Sequence, residues 1–193
     1  MMNSLKGQFL VAMPDMLDER FRDSVIYLVG HGDEGAMGLV VNKSVEDMSF
    51  ADILEELSLG EHDDIIRLPA GVRNREVLRG GPVEKGRGFV LHSSDYFRDG
   101  NSYEVSEEVY LTATLDILRS MAFGNAPAEA IFALGYCGWG AGQLEGELGR
   151  NGWLTVPYSH DLLFSVPLDK RYDEALRKLG ITRASLSSTA GNA

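Results

Sequence analysis

Short apolar runs separated by glycine and polar residues dominate the first part of the chain. Residues 7–14, GQFLVAMP, form an apolar run that ends at a proline, and two further runs, Val25–Val29 and Gly38–Val41, flank the sequence GHGDEGAMG. Runs of this length bounded by Gly, Pro and Asp are typical of buried strands. The pattern predicts one strand within residues 7–14, followed by two adjacent strands that form an antiparallel hairpin with GHGDEGAMG as its loop.

Helical spacing of apolar residues first appears in SFADILEELSL. Ile53, Leu54 and Leu57 share one face, Ser49 stands where an N-cap is expected, and Asp52 follows three positions later. The same spacing, or a glycine or proline after the run, predicts three later helices at Leu115–Ala122, Gln143–Leu148 and Asp169–Leu179.

The remaining apolar segments predict further strands at Glu76–Leu78, Phe89–His92, Glu104–Thr112, Ala130–Gly135 and the segment WLTVPY. The sequence GGPVEKGRG between the first two predicts a loop. Strands that are linked as hairpins alternate with single helices, so the pattern predicts one α/β (α+β) domain with a mostly antiparallel or mixed sheet. We expect this domain to span residues 1–181 and the small, polar residues 182–193 to form a disordered tail.

Charge and cysteine content narrow the function classes. The 193 residues carry a net charge of −11, which disfavours direct contact with nucleic acid, and the basic residues at Arg67–Arg79 and Lys170–Lys178 form no stripe with interleaved aromatics. One cysteine excludes an internal disulfide and fits a reducing compartment. No segment has the apolar length of a signal peptide or a membrane helix, so we expect a cytoplasmic protein without a membrane partner.

The stretch GYCGWGAGQLEGEL holds that single cysteine, Cys137. If a strand ends at Gly135 and a helix begins at Gln143, Cys137 lies on the connecting turn, where helix N–H groups would lower the pKa of its thiol. Cys137 is therefore a candidate reactive thiol. The alternative, which is common for free cysteines, is a small buried residue that fills a corner of the fold.

The glycines of this stretch also allow two interpretations. Gly138, Gly140 and Gly142 are spaced G-x-G-x-G, which does not meet the dinucleotide-binding fingerprint, although backbone N–H groups of such a turn could hold a phosphate. Glu145 and Glu147 would oppose a bound anion. The interpretation that we favour is structural: glycine permits a positive φ and lets a neighbouring strand or Trp139 pack closely.

Catalytic and metal-binding patterns are absent from the sequence. GGPVEKGRG lacks the Lys-Ser/Thr of a phosphate-binding P-loop, and LHSSDY has the residue types of a hydrolase triad without its spacing. The four histidines are scattered and form no metal-binding pattern. We therefore predict no cofactor and no metal, and favour a non-enzymatic protein while leaving catalysis open.

Three stretches taken together, GLVVNK, GGPV and LGYCGWGAGQLEGEL with its sequel NGWLTVP, resemble the YqgE/AlgH family of bacterial proteins. The resemblance extends from GQFLVAMP to ALRKLGI. Residues that match the family signature are Gly135, Tyr136, Gly138, Trp139, Gly140, Gln143, Leu144 and Glu145. The resemblance implies a single α/β domain with a largely antiparallel, barrel-like sheet flanked by helices, and it supplies no catalytic residues. Similar proteins often have a small residue such as alanine at the position of Cys137, so a shared function cannot depend wholly on this thiol.

Three functional hypotheses follow. Some family members are labelled as transcriptional regulators, so the first is a regulator that acts indirectly, through a protein partner or a small ligand. The second is a protein or enzyme that binds phosphate or another small ligand where the three stretches converge, at the candidate residues Asn42, Lys43, Gly80, Gly81, Gly138, Trp139, Gly140 and Gln143. The third is thiol-based redox chemistry at Cys137.

Overall fold

The computed structural model describes residues 3–189, and within them the chain forms ten strands and seven α-helices. Strands β1 to β10 are Phe9–Ala12, Val25–Gly32, Gly35–Val40, Ser44–Ser49, Glu76–Arg79, Val83–Ser93, Ser102–Glu104, Val109–Thr112, Ala130–Gly140 and Trp153–Val156. Helices α1 to α7 are Phe50–Glu56, His62–Arg67, Ala70–Arg73, Leu115–Phe123, Gln143–Gly149, Leu168–Lys178 and Arg183–Thr189. A π-helical turn, Asp161–Ser165, precedes α6.

The strands form one curled sheet in the order β10-β1-β2-β3-β9-β6-β8-β7. Strand β5 pairs with both β4 and β9, and its pairing with β9 is parallel, whereas the other pairings are antiparallel. The predicted fold class, a single α/β (α+β) domain with a largely antiparallel, barrel-like sheet flanked by helices, is confirmed, and the sheet has the form of a half-barrel.

Strand β2 is buried on both faces of the sheet. Tyr27 and Val29 belong to an apolar cluster that includes residues of α6, whereas Ile26 and Leu28 belong to a second cluster with Leu144 of α5. Successive side chains of a strand point to opposite faces, so helices cover both sides of the sheet here. This explains why the sequence shows a continuous apolar run instead of an alternating one.

A further apolar cluster lies between the sheet and helices α1 and α4. Phe50 and Leu54 of α1 and Ile117 and Met121 of α4 pack with Phe132 of β9. These two helices also form the walls of a cavity.

Helix α1 begins as its sequence predicts. The backbone N–H of Asp52 donates to the Ser49 hydroxyl, and the backbone N–H of Ser49 donates to the Asp52 carboxylate at 2.7 Å. This reciprocal capping box satisfies two N–H groups that a helix start would otherwise leave unpaired.

Three segments differ from their predicted structure. Strands β2 and β3 extend to Gly32 and from Gly35, so a two-residue turn replaces the predicted loop GHGDEGAMG. The predicted loop GGPVEKGRG becomes strand from Val83 onward, with an irregularity before Gly88. The predicted strand Glu104–Thr112 is two antiparallel strands, β7 and β8. In each case a cross-strand partner, which local sequence does not reveal, determines where the strand begins or ends.

Within the segment 182–193, for which the sequence predicts a disordered tail, Arg183–Thr189 form helix α7. Arg183 forms ion pairs with Asp173 of α6 at 2.7 Å and with Asp23 at 3.0 Å, and these tertiary contacts hold a segment whose composition alone suggests disorder. Residues 190–193 lie outside the described residues.

Candidate functional site

Strand β9 changes partners at Gly135. Residues 130–134 pair with β5 and β6, whereas residues 137–140 pair with β3. Gly135 has φ of +75°, a conformation that favours glycine. Ala133 and Tyr136 then contact the same apolar cluster, although they are three positions apart, so the strand shifts by one residue as at a β-bulge.

The segment between β5 and β6 crosses β9 at this point. The backbone N–H of Gly80 donates to the carbonyl oxygen of Leu134 at 2.8 Å. A Cβ atom at Gly80 would overlap the carbonyl oxygen of Gly135, and a Cβ atom at Gly81 would overlap the backbone of Tyr136. Glycine is therefore required here because two backbones approach more closely than any side chain allows.

Residues 38–43 also contact the segment between β5 and β6 near this crossing point. The backbone N–H of Val40 donates to the carbonyl oxygen of Gly80 at 2.8 Å, and the backbone N–H of Arg79 donates to the carbonyl oxygen of Lys43 at 2.8 Å. The three stretches singled out in the sequence, GLVVNK, GGPV and LGYCGWG, therefore meet at one place in the fold.

Cys137 lies inside β9 and not on the predicted turn. It pairs with Gly38, is 1% exposed, and its thiol donates to the carbonyl oxygen of Gly80 at 3.5 Å. Burial raises the pKa of the thiol to about 12, which is opposite to the lowered pKa expected for a turn beside a helix. The prediction was wrong because β3 provides pairing partners that extend β9 to Gly140, and Cys137 has the alternative role of a small buried residue.

A cavity of about 440 Å³ lies beside the crossing point. We call it the basic cleft, and it is lined by the cationic residues Arg20, Lys43, Arg79 and Lys85, by Gly81 and Pro82, and by the apolar residues Phe21, Val40, Val45, Met48 and Leu134. None of these lining residues is acidic, although the whole chain has a net charge of −11. The cleft therefore concentrates positive charge locally.

Lys43 is half-buried and held by the backbone of a neighbouring loop. Its Nζ donates to the carbonyl oxygen of Arg22 at 2.6 Å and to that of Arg20 at 3.3 Å. An ammonium group has three donors, so one remains for a ligand. Burial lowers the pKa of Lys43; the nearby Asp23 partly offsets this, and the positive charge of Arg79 lowers the pKa further.

A second cavity, of about 330 Å³, shares Arg20, Phe21 and Pro82 with the basic cleft. Three of the predicted site residues line it, Gly138, Trp139 and Gln143, together with the acidic residues Asp18 and Glu147. Arg20 forms an ion pair with Asp18 at 2.7 Å at this boundary. The second cavity therefore has mixed charge and suits an anion less well than the basic cleft.

The polar groups of the second cavity are largely paired with one another. Glu147 Oε2 accepts from the indole N–H groups of Trp139 at 3.0 Å and Trp153 at 2.7 Å. Gln143 donates to Glu147 Oε1 at 3.1 Å and accepts from the backbone N–H of Gly140 at 3.1 Å. These bonds hold the start of α5 against β9 and leave Trp139 and Gln143 fewer groups for a ligand.

The candidate residues thus fall into separate groups. Lys43 and Gly81 line the basic cleft, whereas Gly80 and Gly140 line neither cavity. Asn42 lines neither cavity, and its side-chain amide accepts from the backbone N–H of Val25 at 2.9 Å and donates to the carbonyl oxygen of Asp23 at 2.7 Å.

Sequence reasoning missed three cations of the cleft, Arg20, Arg79 and Lys85. They lie in a loop, at the end of β5 and in β6, so no local spacing connects them. These cations come together at one cavity only when β4, β5 and β9 pair in the folded sheet.

The described residues, 3–189, lack two classes of feature. No cluster of three or more His, Cys, Asp or Glu side chains is arranged to hold a metal ion in this part of the chain. No helix there has the length and apolar character needed to cross a membrane.

The chain is similar in sequence to known proteins along most of its length. A family model described as AlgH-like matches residues 9–184. A UPF0301 protein from Methylobacterium nodulans is 53% identical over 189 residues, which cover 98% of this chain and 90% of that protein. One from Beijerinckia indica is 51% identical over 189 residues, covering 98% and 92%.

Two solved structures share the fold. The solution structure of the AlgH protein from Pseudomonas aeruginosa has a TM-score of 0.77 and 38% identity, covering 99% of this chain and 97% of that one. The crystal structure of protein DIP2367 from Corynebacterium diphtheriae has a TM-score of 0.72, covering 97% and 93%, but its 16% identity supports the fold alone.

Proposed function

The chain belongs to the AlgH-like family, and since membership brings a fold but no reaction, we propose from the site itself that the protein binds a small anionic ligand in the basic cleft. Phosphate groups are the best chemical match. The single observation that carries the proposal is that four cationic side chains and no carboxylate line one cavity in a chain of net charge −11.

The composition of the cleft supports an anion over a neutral ligand. Arg79 offers a planar guanidinium group, which matches phosphate oxygens in pairs, and Lys43 and Lys85 offer compact point charges. The guanidinium of Arg20 is already paired with Asp18 at 2.7 Å and contributes less. The like charges of Lys43, Arg79 and Lys85 repel each other, so a bound anion would relieve this repulsion. Burial is the main cause of the lowered pKa of Lys43, and the positive charge of Arg79 adds to it.

We further propose that the protein has a regulatory role and that it acts through this binding. The net charge of −11 disfavours contact with the phosphate backbone of DNA, so we propose that occupancy of the cleft changes contacts with a protein partner. The single free thiol fits a reducing compartment, and we propose the cytoplasm as the location. Specific operator binding by the purified chain at physiological salt would contradict this indirect role.

Titration with inorganic phosphate and pyrophosphate tests the binding proposal. We expect heat of binding and chemical shift changes around the basic cleft, which weaken as salt is raised. The double variant Lys43→Met with Arg79→Met should lose at least about tenfold in affinity, since two charge-assisted contacts disappear.

The matched control is Lys170→Met with Arg177→Met, which removes the same charge from exposed positions of α6. This control should bind as the unmodified protein does. Equal loss in both double variants, or no binding by the unmodified protein, would overturn the proposal.

A further inference from the structure

We propose that the ligand of the basic cleft is amphiphilic, with an anionic head group held by the cleft and an apolar chain held by an adjoining cavity. The proposal rests on the anion-binding function above and adds the chemical class of the ligand. It is carried by the position and the lining of a third cavity.

This apolar cavity has a volume of about 350 Å³ and adjoins the basic cleft directly, because Met48, Lys85 and Leu134 line both. Both volumes lie within the roughly 300–1,000 Å³ that is typical of small-molecule sites. A ligand with two chemically different ends could therefore occupy both cavities at once.

Helices α1 and α4 form the walls of the apolar cavity. Ile53 comes from α1 and Leu57 directly follows that helix, Leu115 and Leu118 come from α4, and Phe132 of β9 also lines the space. Leu57 and Leu115 are 43% and 50% exposed, so their side chains retain apolar surface that a bound chain could cover.

Gly88 of β6 lets the ring of Phe132 pack against the strand in the wall of this cavity. A Cβ atom at this position would approach the ring of Phe132 to 2.8 Å, which is closer than side chains pack. The glycine therefore leaves the face of the strand bare beside the aromatic ring.

The boundary between the two cavities suits the junction of an amphiphile. Lys85 can place its aliphatic stem along an apolar chain while its ammonium group faces the head group. Met48 has a flexible thioether side chain, which adapts to chains of different shape. On the cleft side of this boundary, the charged lining residues are all cations. On the side of the apolar cavity, Glu56 is the single carboxylate among the lining residues.

A series of alkyl phosphates tests the proposal by calorimetry, below the concentrations at which they form micelles. We compare inorganic phosphate, butyl phosphate, octyl phosphate and decyl phosphate with the neutral detergent decyl maltoside. Each methylene buried should tighten binding about fourfold until the cavity is filled. The neutral detergent should bind much more weakly than decyl phosphate.

Leu57→Glu and Leu115→Glu provide the variant test, because both residues are partly exposed and their replacement leaves the core intact. Each variant should lower the affinity for decyl phosphate at least about tenfold and leave the affinity for inorganic phosphate unchanged. Phe123→Glu is the matched control: it adds the same charge at a 47% exposed position of α4 that does not line the cavity.

The outcomes separate the two proposals. Phosphate binding that depends on Lys43 and Arg79 but shows no gain with chain length overturns the amphiphile and leaves the anion site standing. No binding of any phosphate overturns the anion-binding function. Equal binding of decyl maltoside and decyl phosphate, unaffected by Lys43→Met with Arg79→Met, also overturns the amphiphile, since the apolar cavity would then bind without the cleft.

Discussion

The backbone N–H of Arg79 donates to the carbonyl oxygen of Lys43 at 2.8 Å, so backbone pairing fixes two cations of the basic cleft as neighbours. Their proximity has an electrostatic cost, because the charge of Arg79 lowers the pKa of Lys43. A fold that holds two like charges together in this way is prepared for an anion, which would stabilise both. The first prediction concerns this pair.

Anion affinity should decrease as pH rises toward the lowered pKa of Lys43. The pKa of Lys43 lies below the usual value of 10.5 because of burial, so this side chain loses its proton before ordinary lysines do. Calorimetry with pyrophosphate from about pH 8 to about pH 10, where most other lysines remain charged, measures the effect.

Lys43→Arg provides the control for this pH dependence, since a guanidinium group stays charged throughout that range. Affinity of this variant should not decrease over this range, since pyrophosphate itself becomes more negative as pH rises. A parallel decrease in both proteins would show that Lys43 is not the titrating group.

Cys137 should be almost inert toward alkylation in the folded protein. With a pKa of about 12, its thiolate fraction at pH 8 is about a thousandfold smaller than that of a free thiol, and burial also hinders access. Iodoacetamide labelling followed by mass spectrometry should show slow modification in buffer and rapid modification in urea. Labelling of the folded protein at the rate of free glutathione would contradict this prediction.

The same pKa shift predicts a loss of stability at alkaline pH. Above about pH 9 the thiol ionises in the unfolded chain but not in the folded one, so the free energy of unfolding should fall until the pH approaches about 12. Cys137→Ala should remove this part of the alkaline loss, as measured by urea denaturation between pH 8 and pH 10. An identical pH slope in both proteins would refute the assignment.

Gly81→Ala should destabilise the protein strongly. The new methyl group would overlap the backbone of Tyr136, which cannot move without disturbing β9, and we expect a loss of about 3 kcal/mol in the free energy of unfolding. Gly71→Ala is the matched control, because a Cβ atom there meets nothing within 4 Å in helix α3. The control should be neutral or stabilising by up to about 1 kcal/mol. Similar stability of the two variants would argue against the crossing of backbones as the reason for Gly81.

Glu147→Gln should loosen the contact between α5 and the two tryptophans. The carboxylate accepts from both indole N–H groups, and charge-assisted bonds of this kind are stronger than neutral ones. We expect a loss of about 1–2 kcal/mol in urea denaturation and a change in tryptophan emission. Glu107→Gln, at an exposed position, removes the same charge and should change neither quantity. Unchanged stability of the Glu147 variant would show that the shared carboxylate is not important for holding α5.

Features that depend on neighbouring residues could be predicted from the sequence. The capping box of Ser49 and Asp52 and the apolar run at Val25–Val29 are local, and α1 and β2 lie where these patterns indicate. The structural interpretation of the glycines applies to Gly142, which has a positive φ, but not to Gly138 and Gly140, where φ is not positive and an added Cβ atom would meet nothing closer than 3.5 Å.

Features that depend on distant partners could not be predicted. Cys137 lies in a strand because β3 pairs with it across the sheet, and nothing near the cysteine in sequence indicates this. The same limitation applies to the basic cleft, whose cations lie on a loop and on different strands. Only the pairing of β5 with β4 and β9 brings Arg79 beside Lys43.

The pairing of β3 with β9 also has a consequence for synthesis on the ribosome. Gly38 pairs with Cys137, so the partner of β3 emerges about 100 residues later, after roughly 5–20 s of translation. Until then the hairpin of β2 and β3 has an open edge with unpaired backbone groups and apolar residues on both faces. The nascent chain is therefore most exposed to aggregation before β9 leaves the ribosome, and it is during this interval that a chaperone would protect it.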